Sequence, residues 1–257
     1  MYEAMMIAST ALHNQQRRLD TIANNVSNVN TVGYKSSRLD FKDALYTAGL
    51  VPGLPRTPEG NQQKGHGLMV SGIVKDFSSG SLQRTERQLD MAIEGEGFFA
   101  IESSDGSTLY TRNGSFNISV EIDGAYLVTG EGNYVLDSEN MRIRIPQFTE
   151  SMGVSGNGEI IFTVGDEESS IQLGVYTFRN LAGLVSVGEG NYSESIASGE
   201  RLTAENATVL QGVLENSNVD LAQEMTRLIR TQRAFSLASR ALTTADEMEG
   251  IANNMKR

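Results

Sequence analysis

Side chains that could carry out chemistry are few in this chain, and their spacing forms no catalytic set. The sequence has two histidines, His13 and His66, and no cysteine. Neither histidine belongs to a His-x-x-x-His pair, and without cysteine there is no disulfide and no thiolate metal ligand. Gly95-Glu96-Gly97 superficially resembles a phosphate-binding loop, but the third glycine and the following helix are missing. We therefore expect no catalytic residue, no metal and no cofactor.

Carboxylates are plentiful, but most of them lie at predicted turns. Asp105, Asp123, Asp137 and the run 166–168 lack the Asp-x-Asp-x-Asp-Gly loop and terminal Glu of a calcium site. The net charge is −11, and the acidic excess is concentrated between residues 72 and 200. A solvated acidic surface is the simplest interpretation. It argues against nucleic acid as a partner, because nucleic acid requires a basic stripe.

Four arginines near the C-terminus have helical spacing and could bind an anion. They are Arg227, Arg230, Arg233 and Arg240. Glu224 and Glu247 are interleaved with them, so ordinary ion pairing along a helix is favoured over anion binding.

The elements that must position these residues differ between the ends and the middle of the chain. Residues 1–32 and 213–249 contain no glycine, whereas residues 72–200 hold 18 of the 26. Each end carries apolar residues at alternating steps of three and four, the spacing of a helix that packs on other helices. The N-terminal stripe is Met5, Ala8, Leu12, Gln15, Leu19, Ile22, Val26 and Val29. The C-terminal stripe is Leu221, Met225, Leu228, Gln232, Phe235, Leu242, Ala245 and Ala252.

The predicted helices run from about Tyr2 to Val29 and from Ser217-Asn218-Val219-Asp220 onward, with Ser217 as the N-cap and Asp220 three residues later. The second helix is long enough to suggest a coiled coil. Neither helix contains the roughly 20 consecutive apolar residues of a membrane span. The N-terminus also lacks the basic leader of a cleavable signal peptide.

The middle of the chain has a period of two. Short segments rich in β-branched and aromatic residues alternate with turn pairs such as Asn113-Gly114 and Asp123-Gly124, which predicts an antiparallel sandwich or open barrel. The fold class is therefore α+β. We expect a helical domain of residues 1–35 and 215–257, a connecting segment of 36–70 and a β domain of 71–214. The connecting segment should contain a second short helix or turn over residues 39–46 and a loop at Pro52, Pro55 and Pro58.

Two interpretations of the helical ends remain open on periodicity alone. The stripes could form an intramolecular helical hairpin, or they could pack between copies of the chain. Two long helices cannot cover each other completely, which favours a polymer. At the exit of the first helix, Gly33 suits a left-handed turn, and Tyr34 is either a packing anchor or a spacer. The asparagines there could cap local backbone, contact other subunits or do both; they are Asn24, Asn25, Asn28 and Asn30.

Several of these segments together resemble the bacterial flagellar rod and hook proteins. The N-terminal signature is similar over residues 22–35, Ile-Ala-Asn-Asn-Val-Ser-Asn-Val-Asn-Thr-Val-Gly-Tyr-Lys, and the closing signature over Ser217–Asp220, Met225 and residues 230–235. Gly95-Glu96-Gly97-Phe98-Phe99 and residues 110–116 resemble the β domain of the same family. The length and the central motifs favour the rod proteins over the longer hook proteins. The distal section of the rod is most similar, and the proximal section is the alternative.

The resemblance implies a structural role in a helical polymer. Such proteins pass unfolded through the flagellar export apparatus and assemble beyond the cytoplasmic membrane, in the basal body. There they form a tubular drive shaft that transmits torque from motor to hook. The implied partners are other copies, other rod and hook subunits, the export apparatus and a surrounding bushing ring, without membrane insertion or nucleic acid. The implied interface residues are Leu12, Leu19, Ile22, Asn24, Asn25, Val26, Asn28, Asn30, Gly33, Tyr34, Ser217, Asn218, Val219, Leu221, Met225, Leu228, Phe235 and Leu242.

Two rivals from other classes remain. A rod must cross the cell wall, so an enzyme acting on wall glycan is one; it would need paired carboxylates in a cleft. A β-rich binding module is the other, but it would not need glycine-free helical ends.

Overall fold

The computed structural model describes residues 2–43, 47–48, 63–64, 68–165, 167–204 and 206–255. Predictions made for Ala44, Leu45, Tyr46, Pro52, Pro55, Pro58, His66 and Asp166 lie outside these residues. The described chain divides into two compact units. The helical unit comprises residues 1–27, 37–75 and 220–257, and the β unit comprises residues 28–36 and 76–219. These groupings differ from the boundaries expected from the sequence, since the described residues between 37 and 75 group with the helices and residues 28–36 group with the strands.

The helical unit contains α1 (Tyr2–Ser27), α2 (Leu221–Asn254) and four strands: β1 (Ser37–Asp43), β2 (Thr47–Ala48), β3 (Gln63–Lys64) and β4 (Leu68–Lys75). Antiparallel pairs form between β1 and β4 and between β2 and β3. The second short helix or turn expected over residues 39–46 is wrong where the structure describes it, because Leu39 and Phe41 belong to β1. In β1, Leu39 is buried while Arg38 and Lys42 are exposed, the alternation of a strand with one covered face.

α1 packs along α2, and the N-terminal stripe is the less exposed side of α1. All of its predicted residues are buried or half-buried. α1 ends two residues earlier than expected, at Ser27, because the chain turns where the Thr31 N–H donates to the Asn28 carbonyl (3.2 Å).

The start of α2 differs from the predicted capping box. Asp220, not Ser217, is the N-cap, and its carboxylate accepts from the Gln223 N–H at 3.1 Å. The Ser217 hydroxyl instead accepts from the Val219 N–H at 3.3 Å, inside the preceding turn. An Asp is as good an N-cap as a Ser, so the sequence contained both possibilities.

The covered side of α2 is also rotated from the predicted stripe. Leu228, Phe235, Leu242 and Ala245 are half-buried as expected, but Leu221 and Met225 are each 43% exposed. We call the covered side the seam; its residues recur at steps of four and three. They are Glu224, Leu228, Thr231, Phe235, Ala238, Leu242, Ala245 and Glu249. Two polar residues, Glu224 and Thr231, are its most buried members. A pattern of apolar residues alone therefore does not identify the seam.

The β unit is antiparallel throughout its described pairings, as the turn pairs predicted. Its strands are β5 (Leu82–Arg84), β6 (Met91–Glu94), β7 (Phe98–Glu102), β8 (Thr108–Thr111), β9 (Phe116–Glu121), β10 (Gly124–Thr129), β11 (Tyr134–Val135), β12 (Arg144–Ile145), β13 (Ser151–Val154), β14 (Glu159–Val164), β15 (Glu167–Gln172), β16 (Val175–Phe178), β17 (Val185–Gly188), β18 (Asn191–Ser193), β19 (Arg201–Thr203), β20 (Thr208–Gln211) and β21 (Val213–Glu215). A short 3₁₀ helix spans Leu181–Gly183.

The main sheet runs β12-β10-β11-β7-β8-β18-β17, with β9 beside β10 and β16 joining β7 to β19. A three-stranded sheet, β13-β14-β15, and the pairs β20-β6 and β21-β5 complete the unit. Successive residues of β7 lie in different apolar clusters, Phe99 with Phe116 and Phe162, and Phe98 with Tyr110 and Tyr192. Both faces of this central strand are therefore covered.

Candidate functional site

Segments from four parts of the chain meet in the β unit at one point, which we call the anchor. Its residues are Gly33, Lys35, Arg112, Glu215 and Asn218. Lys35 follows the exit of α1, Arg112 follows β8, Glu215 ends β21, and Asn218 precedes α2. The anchor therefore brings together three of the motifs singled out in the sequence: Gly33-Tyr34-Lys35, Arg112-Asn113-Gly114 and Ser217-Asn218-Val219.

Glu215 is the centre of the anchor, and it is fully buried. Its Oε1 accepts from Lys35 Nζ (2.7 Å) and from the Gly80 N–H (2.7 Å), while its Oε2 accepts from Arg112 NH1 (3.0 Å). Lys35 and Arg112 are buried as well. Three donors on one carboxylate are what a buried charge requires in order to be tolerated in the interior.

Two cations share this single carboxylate, and backbone carbonyls supply the remaining negative potential. Lys35 Nζ donates to the Ser78 carbonyl (2.8 Å), and Arg112 donates to the carbonyls of Ile93 (3.0 Å) and Gly95 (2.5 Å). Burial lowers the pKa of Lys35 from its ordinary value, and the hydrogen bond to Glu215 partly offsets that effect. Burial likewise lowers the pKa of Arg112 against the pull of Glu215.

The backbone at Gly33 is fitted against the strand end that carries Arg112. Gly33 has φ +68°, as the sequence predicted, and its N–H donates to the Glu215 carbonyl (2.8 Å). A Cβ at this position would lie 2.6 Å from Asn113 N and 2.7 Å from the Arg112 carbonyl carbon. Only glycine satisfies both the left-handed backbone and this close approach.

Asn218 fastens the last residues before α2 to the same point. Its Oδ1 accepts from the Ser36 N–H (2.8 Å), and its Nδ2 donates to the carbonyls of Asp76 (2.8 Å) and Ser78 (3.1 Å). The Asn218 N–H donates to the Tyr34 carbonyl at 3.4 Å, and the Tyr34 side chain is buried. A side-chain amide that both donates and accepts is the residue type needed to join three backbone segments.

Asn25 plays a corresponding part inside the helical unit. Its Nδ2 donates to the Ser37 carbonyl and its Oδ1 accepts from the Ser37 N–H, both at 2.9 Å. This bidentate contact holds the first residue of β1 against the last turns of α1.

The residues predicted from the sequence are distributed over both units. Leu12, Leu19, Ile22 and Val26 lie on the less exposed side of α1, and Asn24 and Asn30 are exposed. Asn28 and Val219 are half-buried and Ser217 is buried. The sequence did not predict that Lys35, Arg112 and Glu215 form a set, although Lys35 lies in residues 22–35 and Arg112 in residues 110–116, two of the segments that resemble the rod and hook proteins. A lysine, an arginine and a glutamate far apart in sequence carry no signal that they are buried together.

The described cavities do not suggest chemistry. One of them is an open groove of about 630 Å³ in the helical unit, lined by α1, β1 and β4, with Leu39, Val70 and Ile73 on its walls. Among the described residues no group of three His, Asp or Glu is placed to hold a metal ion. No helix in the described part of the chain is both long and apolar enough to cross a membrane.

A helix near each end of the chain and a mostly antiparallel β unit between them in sequence define an α+β protein. Comparison with known protein families assigns three segments of the chain to flagellar rod and hook families. Residues 5–35 match the family described as flagella basal body rod protein, residues 92–162 match the flagellar hook protein FlgE/F/G D1 domain, and residues 210–255 match the flagellar basal body rod FlgEFG protein C-terminal.

Relatives of known identity match along the whole chain. The flagellar basal-body rod protein FlgG of Borreliella burgdorferi is 37% identical over 270 residues, covering 100% of both chains. FlgG of Bacillus subtilis is 36% identical over 268 residues with the same coverage. The flagellar hook-basal body complex protein FlhP of Bacillus subtilis is 32% identical over 271 residues, again covering both chains completely.

The chain belongs to the flagellar basal-body rod protein family. It is a structural subunit of the rod, not an enzyme, and it is located in the flagellar basal body beyond the cytoplasmic membrane. It assembles into the rod with other flagellar subunits. Its similarity to FlgG confirms the predicted resemblance to the distal rod proteins.

Proposed function

We propose that α1 and α2 form the inner, coiled-coil layer of a tubular rod, that the β unit forms the outer layer, and that the anchor transmits torque between them. The anchor is the observation that carries this proposal. Only a few residues of chain separate it from the end of α1 at Ser27 and from the start of α2 at Leu221. Along the covalent chain, α1 is therefore joined to the anchor through residues 28–32, and α2 is joined to it through residues 219–220.

The buried ion pairs of the anchor suit a structure that carries torque repeatedly. Breaking one partner of a buried charge pair costs about 3–5 kcal/mol, since the other charge is left unpaired in the interior. Lys35, Arg112 and Glu215 are buried and mutually bonded, so separating them is costly in the same way. A surface ion pair would resist far less.

The remaining partners follow from the same role. Subunits of a rod beyond the cytoplasmic membrane must be delivered there, and we assign that delivery to the flagellar export apparatus. The acidic β unit, on the outside, would face a surrounding bushing ring. A position in the proximal rod or a hook-type axial position is the second candidate, which the similarity to FlhP keeps in view.

A reconstruction of the assembled polymer by electron microscopy tests this arrangement. We expect α1 and α2 to line the central channel and the β unit to lie outside them. A channel lined by strands of the β unit would contradict the proposal, whatever the symmetry of the polymer.

A further inference from the structure

A small pocket lies within the β unit, and the proposed assembly of the rod assigns no role to it. Residues at the ends of β15 and β19, in β16 and in β20 line it, together with turn residues that follow β11 and precede β14. Its volume is about 210 Å³. That volume is below the ~300–1,000 Å³ of a pocket for a drug-sized ligand, and it suits a single small ring.

The lining of the pocket combines uncharged polar groups with apolar ones. Five residues carry a hydroxyl or an amide: Ser138, Asn157, Gln172, Tyr176 and Thr203. The other five are apolar: Leu173, Val175, Ala204, Ala207 and Val209. None of these described lining residues carries a charge. Tyr176 and the three larger apolar residues are buried, whereas the other four polar residues are exposed. The pocket therefore has a mostly apolar floor and a polar rim.

Hydrogen bonds between the walls form the pocket before any ligand enters. The Tyr176 hydroxyl donates to the Ser138 carbonyl (3.0 Å), and the Ser138 N–H donates to the Gln172 carbonyl (3.0 Å). Gln172 Nε2 in turn donates to the Asn157 carbonyl (2.8 Å). Walls that are already bonded to one another lose little conformational entropy when a ligand binds.

The polar rim can both donate and accept hydrogen bonds. Ser138 and Thr203 each supply a hydroxyl, which donates one hydrogen bond and accepts two. Gln172 supplies a side-chain carbonyl oxygen beside the Nε2 that is bonded to Asn157. A ligand that fits must therefore carry donors and acceptors around its edge and C–H groups on the side that meets the floor.

The charge of the site excludes several classes of ligand. An anion would meet no cation among the described lining residues, and the surrounding chain between residues 72 and 200 is acidic. A cation would lose its hydration against an apolar floor without a lining carboxylate. A wholly apolar ligand would strip water from the rim without replacing its hydrogen bonds. A sugar ring has both of the required surfaces, since its faces carry C–H groups and its edge carries hydroxyls.

We propose that this pocket binds one neutral sugar unit. The C–H face of the sugar packs on Leu173, Val175 and Val209, and its hydroxyls bond to the rim at Ser138 and Thr203. The terminal unit of a glycan chain and a free sugar present the same groups to the pocket. Because the pocket lies within the β unit of one chain, this inference does not depend on the proposed arrangement of the rod.

Titration of the ¹⁵N-labelled monomer with sugars, followed by the NMR shifts of its amides, tests the proposal. We expect glucose or N-acetylglucosamine at millimolar concentration to cause saturable shifts at Leu173, Ala204 and Val209. Glucuronate has the ring of glucose with an added charge, and it should bind more weakly by about tenfold or more. No saturable shift with either neutral sugar, or equal binding of glucuronate, would overturn the proposal.

Oligomers of the same sugars identify the source of the ligand. If cellotriose or chitotriose binds at least as tightly as its single sugar, the pocket receives the end of a glycan chain. If the oligomers are excluded while the single sugar binds, the ligand is a free sugar. Either result supports a sugar site.

Removing a rim hydroxyl tests the assigned position. Thr203→Val and Ser138→Ala should each raise the dissociation constant by about three- to tenfold, the equivalent of one hydrogen bond. Thr163→Val makes the same change as Thr203→Val in β14, outside the pocket, and should leave the dissociation constant unchanged. Urea midpoints separate lost binding from lost folding. An unchanged dissociation constant in both folded rim variants would contradict the site.

Discussion

A buried carboxylate with two cations is an unusual way to hold a small β unit together, since an apolar cluster of the same volume would often be as stable. The charged groups add hydrogen bonds of defined geometry, which an apolar cluster lacks. Arg112 presents a planar fork whose donors reach Glu215 and the carbonyls of Ile93 and Gly95, whereas Lys35 contributes a point charge from a different segment. These hydrogen bonds form only when all the segments are in place.

Removing the central carboxylate should therefore be severe. Glu215→Gln leaves Lys35 and Arg112 buried and facing each other without a counter-charge, and we expect the free energy of unfolding to fall by about 3–5 kcal/mol. Urea unfolding of the purified chain, followed by far-ultraviolet circular dichroism, measures the loss.

Glu102→Gln is the matched control for that change. Glu102 also binds an arginine, Arg142, through two hydrogen bonds (2.7 and 3.0 Å), but that pair lies at the surface. Solvent screens such pairs, so the loss should be much smaller. An equal loss of unfolding free energy in the two variants would show that the burial of Glu215 does not determine the size of the effect.

Gly33 offers a second test at the scale of single residues. Gly33→Ala places a methyl group against backbone atoms and forces an L residue into φ +68°, which should cost at least ~1–3 kcal/mol. Gly153→Ala in β13 is the control, because a Cβ there meets nothing within 4 Å and its φ is not in the left-handed region. Urea midpoints of the two variants should differ clearly; coincident midpoints would mean that the turn at Gly33 relaxes at little cost.

At the scale of elements, the main finding concerns the sides of α2. The sequence predicted one helix-packing stripe that ran through Leu221, Met225 and Leu228, and the structure divides those residues between a covered side and an exposed side. An apolar pattern cannot identify a seam in which Glu224 and Thr231 are the most buried members. The strand β1 was missed for a related reason, since Leu39 and Phe41 fit a short helix as well as a strand.

Substitutions on the two sides of α2 should differ in the monomer. Leu228→Asp adds a carboxylate to the seam one turn from Glu224, whose Oε2 is already buried without a hydrogen-bond partner among the described atoms. We expect it to release α2, lowering the helical signal and making residues 221–255 sensitive to trypsin.

Leu221→Asp, on an exposed side of the same helix, should leave the monomer unchanged. If trypsin digested both variants at the wild-type rate, α1 and α2 would not be held by the seam in solution.

At the scale of the whole molecule, the class of the protein was predictable from the sequence. The anchor was not. Glycine-free ends, a change of period from about 3.6 to two, and X-Gly turns were enough to predict long terminal helices around an antiparallel insert. The anchor depends on Lys35, Arg112 and Glu215, which meet only after the strands between them have formed. Contacts of such large sequence separation leave no local periodicity.

A wall-glycan enzyme and a structural subunit should respond differently to the loss of a single carboxylate. Asp105→Asn and Asp123→Asn, made singly, should leave swimming intact when the gene complements a strain that lacks its own distal rod protein. Both carboxylates lie at exposed turns, where substitutions have small effects. Loss of swimming from either change in a protein that still assembles would restore a catalytic interpretation.

One detail of the anchor bears on how such a chain can be altered. Asp76, where the main part of the β unit begins, accepts a hydrogen bond at 2.8 Å from Asn218, where that part ends. A stretch of chain whose two ends touch is a removable cassette, because an insert with adjacent termini can replace it without displacing the flanking chain. Residues 77–217 could thus be exchanged for a fluorescent or affinity domain of similar end spacing, provided that the graft supplies acceptors for the Gly33 N–H and for Lys35 Nζ, which Glu215 and Ser78 provide in this chain.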